Sequence, residues 1–153
     1  MALIWATSIP ARGAEVPANA YGERFNRAAD LFGATVRLNA PQCGDRLCAF
    51  KGTGAVSANV AWEAGDARRR TVDSVFKIPA AQSDAGLARI LLSLLAVFSP
   101  ELPADAREAF AATLLRQLYA DRVRSDGRLG GWDYVLRADG DQWRAIVRRP
   151  AGL

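Results

Sequence analysis

Apolar and polar residues alternate from Val56 onward: Val56, Ala58, Val60 and Trp62 fall on one side, with Ser57, Asn59 and Glu63 on the other. After the run "ARRRT" the alternation resumes at Val72, Ser74, Phe76 and Ile78. A period of two marks half-buried strands. With Gly65, Asp66 and Ala67 as a three-residue loop, Val60 would lie opposite Val72 and Val56 opposite Phe76, so the two apolar faces agree. Less regular strands are expected near Thr35 to Leu38 and Leu47 to Phe50, with Pro41 interrupting the ladder between them. The segment "GGWDYVLRADGDQWRAIVRR" reads as a second hairpin, turning at Asp139-Gly140 and setting Leu136 against Trp143, Tyr134 against Ala145 and Trp132 against Val147.

Helical spacing takes over elsewhere. Tyr21, Phe25, Ala28, Ala29 and Phe32 repeat at the period of an amphipathic helix that stops at Gly33, with Asn19 placed to cap its start. Leu87, Ile90, Leu91, Leu94, Leu95 and Phe98 make the wide apolar face of a buried helix capped by Ser83 or Asp84. A third helix starts near Pro103, carries Phe110, Leu114, Leu115 and Leu118, and ends about Arg122; "SPELP" before it is short enough for an antiparallel pair. The expected class is α+β, an antiparallel sheet of five to six strands with the helices packed on one face. No internal repeat or linker divides the chain, which predicts one globular domain over residues 15–153.

With 153 residues the chain can bury a real core, and a net charge of +4 makes it basic. Almost all the positive charge is arginine, lysine occurring only at Lys51 and Lys77, and the chain is rich in alanine and glycine. That bias also follows from codon usage, so the charge alone is a weak pointer to nucleic acid. No stretch is apolar for the roughly 20 residues a membrane helix needs.

Two features point to export. The start, "MALIWATSIPARGAEVP", runs from an apolar stretch through a proline to small residues, the order found at the end of a secretory signal, so residues 1–14 are expected to be its remnant. Cys43 and Cys48 flank Gly44, Asp45, Arg46 and Leu47, a turn-forming four-residue loop. Residues facing each other across such a hairpin satisfy disulfide geometry, which makes a structural bond the expectation. Two thiols without histidine do not make a zinc site, and the spacing is not that of a thioredoxin-like centre. A periplasmic or secreted location follows.

Catalytic chemistry is hard to place. A chain with no histidine builds neither a Ser-His-Asp nor a Cys-His triad. "KGTG" lacks the spacing of a phosphate loop, and "ADGDQ" lacks the further ligands of a calcium loop, so both read as turns. Trp62, Trp132, Tyr134 and Trp143 fall on aliphatic faces and read as core; Glu101, Asp105 and Glu108 complement a helix start. No cofactor or metal is expected. The candidate contact surface is the outer side of the C-terminal hairpin, where Arg137, Arg144 and Arg148 surround Val135 and Ile146. The sequence thus points to a non-catalytic exported binding protein that meets an unknown protein or acidic ligand. A nucleic-acid-binding protein is the alternative, and an enzyme of unknown type the second.

Overall fold

The period-two segments do form strands, and what they share is one buried side. The computed structural model describes residues 13–150. Its strands are β1 (Gln42–Cys43), β2 (Leu47–Lys51), β3 (Ser57–Trp62), β4 (Thr71–Pro79), β5 (Arg124–Leu129), β6 (Trp132–Asp139) and β7 (Gln142–Arg148). They make one antiparallel sheet in the order β1-β2-β3-β4-β7-β6-β5. Three helices, α1 (Tyr21–Phe32), α2 (Asp84–Phe98) and α3 (Ala104–Asp121), complete the α+β architecture. A helix precedes each group of strands, and the groups meet through their last members, β4 and β7.

Alternation in the strands decides where the core sits. Cys48, Phe50, Ala58, Val60, Phe76, Ile78, Trp132, Tyr134, Leu136, Ala145 and Val147 are buried on one face and packed with the apolar sides of all three helices. Phe25 of α1 meets Phe76 at 4.8 Å between ring centroids, Phe98 of α2 meets Trp132 at 4.8 Å, and Phe110 of α3 meets Tyr134 at 5.4 Å. Each helix therefore reaches the sheet with an aromatic side chain, α1 at β4 and α2 and α3 at neighbouring inward positions of β6, and tilted or edge-on pairs of this kind add to the area they bury. Asn26 ties α1 to the following segment, its amide donating to and accepting from the Leu38 backbone at 2.8 Å each way.

Several details differ from the expected pattern. The sheet has seven strands instead of five or six, because "RSDGRL" forms β5 although its inward positions are Ser125, Gly127 and Leu129. Gly127 is needed there: a Cβ would come 2.9 Å from the Phe110 ring, so its absence lets α3 lie close on the strand. Thr35 to Leu38 is not a strand; only Leu38 bridges to Gly52, and the ladder begins after Pro41 with β1.

Both hairpins are displaced by two residues from the expected register. Val60 faces Ser74 and Ala58 faces Phe76, since the chain between β3 and β4 spans residues 63–70 and a bulge follows Ala61. In the second hairpin Leu136 faces Ala145 and Tyr134 faces Val147, because the two turn residues are Gly140 and Asp141. Gly140 has φ 62° while Asp141 has no positive φ, the pattern of a II′ turn with glycine first and not of I′. A shift of two keeps the side chains on their expected faces, except at the bulge, where Thr71 is buried opposite Trp62 and Val72, expected inward, is left out of the core. Asn19 does not cap α1, which is preceded by a 3₁₀ turn over Ala18–Ala20; at α2 the cap is Ser83, accepting from Gly86 N at 3.0 Å.

The N-terminal expectation falls mostly on residues 1–12, outside those described. From Val16 onward the chain is part of the fold: Val16 is fully buried, and its carbonyl accepts from the Thr71 amide at 2.8 Å and the Thr71 hydroxyl at 2.6 Å. No described helix is long and apolar enough to cross a membrane.

Candidate interaction surface

Turning each strand by one residue exposes the other side of the sheet, which no described element covers. Antiparallel register aligns its side chains in rows running across the strands. One row is Lys51, Ser57, Lys77, Arg144, Arg137 and Arg124, from β2 to β5 through β7 and β6. The next is Ala49, Asn59, Val75, Ile146, Val135 and Asp126, apolar at its centre. Beyond it Asp73, Arg148, Asp133 and Arg128 alternate in sign. No aromatic side chain occupies a paired position on this face.

The five residues singled out in the sequence all lie here. Arg137 and Arg144 are directly opposite each other, as are Val135 and Ile146, while Arg148 flanks Ile146 from the other side. Ile146 is only 6% exposed although no helix covers it. Its neighbours explain this, since Val75 and Val135 lie beside it and the stems of long charged residues rise on both sides.

The charges are unevenly neutralised. Arg144 Nε lies 2.6 Å from Asp139 Oδ2, an ion contact too bent for a hydrogen bond. Arg124 meets Asp126 at 3.2 Å, and Arg128 meets Asp133 at 2.7 Å. The Asp133 carboxylate, hydrogen-bonded to Arg128, raises that guanidinium above its ordinary pKa. Lys51, Lys77, Arg137 and Arg148 form no ion pair among the described residues. Over the paired positions of the face cations outnumber carboxylates seven to four. A shallow hollow of about 390 Å³ opens at the β5 end, between Arg124, Arg128, Asp133 and Arg148.

Like charges directly opposite each other on neighbouring strands are destabilising, so Lys77, Arg144, Arg137 and Arg124 in adjacent register work against the sheet that carries them. Sequence reading missed Lys77, Lys51 and Arg124 because their alignment depends on the β4–β7 contact and on β5, neither of which leaves a local signal. Arg137 and Arg144 were visible because one hairpin contains both.

The other features singled out are placed differently. Cys43 and Cys48 form a disulfide across the β1–β2 hairpin, their Cα atoms 4.0 Å apart. In "ARRRT", Arg70 pairs with Asp66 at 3.1 Å and with Glu15 at 3.7 Å, and Arg69 lies over the Trp62 ring at 5.3 Å. "KGTG" is a turn in which Thr53 Oγ1 accepts from Arg37 N at 2.9 Å. Trp62, Trp132 and Tyr134 are buried and Trp143 half-buried against the same core. Burial drives the Tyr134 hydroxyl far above its usual pKa even though it shares a 2.9 Å hydrogen bond with Ser99. No group of three or more metal-ligating side chains gathers among the described residues.

Comparison with family models, with curated proteins and with solved structures returns no match for this chain.

Proposed function

We propose that this is a small exported binding protein, acting in the periplasm or outside the cell, which uses the open face of its sheet to hold an acidic partner and performs no chemistry of its own. The observation that carries this reading is the set Arg137, Arg144 and Arg148 around Val135 and Ile146 on a face that no described element covers. Arginine pairs bidentately with carboxylate and phosphate, and an apolar centre within a charged surround is how contact surfaces are commonly composed.

Export is supported by the Cys43–Cys48 disulfide, a bond that persists in oxidising compartments. Removal of a leader after Gly13 or Ala14 would keep Val16, the first fully buried residue among those described, and its hydrogen bonds to Thr71. Free-thiol titration of protein recovered from the native host tests this half: no reactive thiol is expected, and two would place the protein in a reducing compartment.

The binding half is tested by the triple substitution R137E/R144E/R148E. The variant should keep its circular dichroism and lose capture of the native partner, with wild-type capture weakening as salt rises. Unchanged capture would remove this face from consideration. Nucleic acid is the second reading, favoured by the same row of cations and disfavoured by Asp73 and Asp133 in the row beyond the apolar centre and by the lack of stacking aromatics at the paired positions of this face.

A further inference from the structure

Resting on the acidic-partner reading, we infer that the occupant of the open face is an amphipathic acidic helix of a partner protein, lying across the strands with its apolar stripe on Val75, Ile146 and Val135 and its carboxylates on Lys77, Arg144, Arg137 and Arg124.

Chemistry narrows the partner first. Three parallel rows differ in kind: one basic, one apolar at its centre, one alternating Asp73, Arg148, Asp133, Arg128. A nucleic acid or a lipid headgroup layer presents one sign of charge and would meet Asp73 and Asp133 unfavourably. A polypeptide can present carboxylates, apolar groups and mixed charge in adjacent rows. A second copy of this face is disfavoured because cations exceed carboxylates seven to four on each copy.

Spacing then selects the conformation. Neighbouring strands lie about 4.8 Å apart, so the four cations from β4 to β5 repeat at about that interval. A helix offers one side chain of a given face per turn of about 5.4 Å, and over three steps it drifts from the row by only about 2 Å. An extended chain offers one same-side residue per about 6.8 Å and drifts by about 6 Å. Helical partners are read in this manner, by anchors one turn apart. The cations repel each other in the free protein, and Lys77 and Arg137 have no carboxylate partner among the described residues, so the helix supplies counter-charges to those two, which adds a binding term specific to this row.

The test uses the whole chain and four probes: a designed helical peptide of about five turns with a leucine stripe flanked by glutamates, a peptide of the same composition scrambled to destroy the helical period, single-stranded oligo-dT, and phosphatidylglycerol vesicles. The helical peptide should bind at least tenfold more tightly than the scrambled one, shift backbone resonances on β4, β7, β6 and β5, and lose at least tenfold affinity in Lys77→Glu and in Arg137→Glu. The neutral variants Lys77→Gln and Arg137→Gln should bind more weakly than wild type while their free forms melt no lower, which excludes misfolding as the cause. Equal binding of both peptides overturns the helix and leaves the acidic-partner reading standing. Tighter binding of oligo-dT or vesicles overturns the polypeptide. Failure of all four probes overturns both this inference and the reading beneath it.

Discussion

The two faces of the sheet are made from the same strands, one residue out of step, and obey different rules. In β7, Ala145 and Val147 enter the core while Arg144, Ile146 and Arg148 point away from it. On the helix side, aromatic pairs such as Phe25–Phe76 and Phe98–Trp132 fill the space between layers, and water is excluded. On the open side an apolar centre survives only because charged stems shelter it, and four cations stand in adjacent register. The first face lowers the free energy of the folded state. The second contains an arrangement that raises it, and such a departure from local consistency is the kind of feature expected at a functional surface.

The comparison is broken most severely from the core side. Phe76→Ala removes a fully buried ring packed against Phe25 and should cost about 3–5 kcal/mol in urea unfolding. A loss below 1 kcal/mol would mean that the covered face is not the main source of stability. Next comes the edge of the sheet. Loss of the disulfide in C43S/C48S should cost about 2 kcal/mol or less, since the closed loop is very short, and the circular dichroism of the variant should be retained. If the variant fails to fold, β1 has a larger role than a local staple.

What the sequence revealed follows the same division. The faces of β3, β6, β7 and of β4 from Ser74 onward were legible because alternation fixes sides even where the register is displaced by two, as happened when Gly140 and Asp141 became the turn; Val72 was misplaced because a bulge leaves no mark in the alternation. The disulfide was legible because both cysteines belong to one hairpin. Strand β5 was not, since its inward positions are Ser125, Gly127 and Leu129, suited to the approach of α3: Ser125 Oγ donates to Gln117 Oε1 at 3.1 Å, and Phe110 needs the room beside Gly127. The basic row was legible only as Arg137 and Arg144. Lys51, Lys77 and Arg124 join them through strand order, which is set by packing far along the chain and leaves no mark in local periodicity.

The shelter of Ile146 offers a finer contrast. Ile146→Ala removes a side chain that is only 6% exposed, yet the space it leaves opens toward solvent and neighbouring side chains, so the cavity penalty is absent. A loss of about 1–2 kcal/mol is expected from the transfer term alone. If the loss matches that of Phe76→Ala, the open face contributes to stability as the core does, and its proposed availability to a partner is weakened.

The smallest expected effect lies outside both faces, in the turn between β3 and β4. Asp66 accepts from Arg68 N at 3.1 Å, from Arg70 N at 3.0 Å and from Arg70 Nε at 3.1 Å. The Arg70 side-chain hydrogen bond leads, and with the backbone donors it holds the Asp66 carboxyl below its ordinary value of 3.8. A carboxyl whose folded pKa is depressed contributes stability that is fully present above the unfolded value and is lost as pH falls through the folded one. The gap in unfolding free energy between wild type and Asp66→Asn should therefore be constant near neutrality and narrow as the pH is lowered below about 4. Because the Arg70 side chain is well exposed, solvent screens the pair and the gap should be small at every pH, shrinking further in added salt. A gap that stays constant down to pH 2 would show that the Asp66 side chain orders the turn by shape and neutral hydrogen bonding, not by its charge.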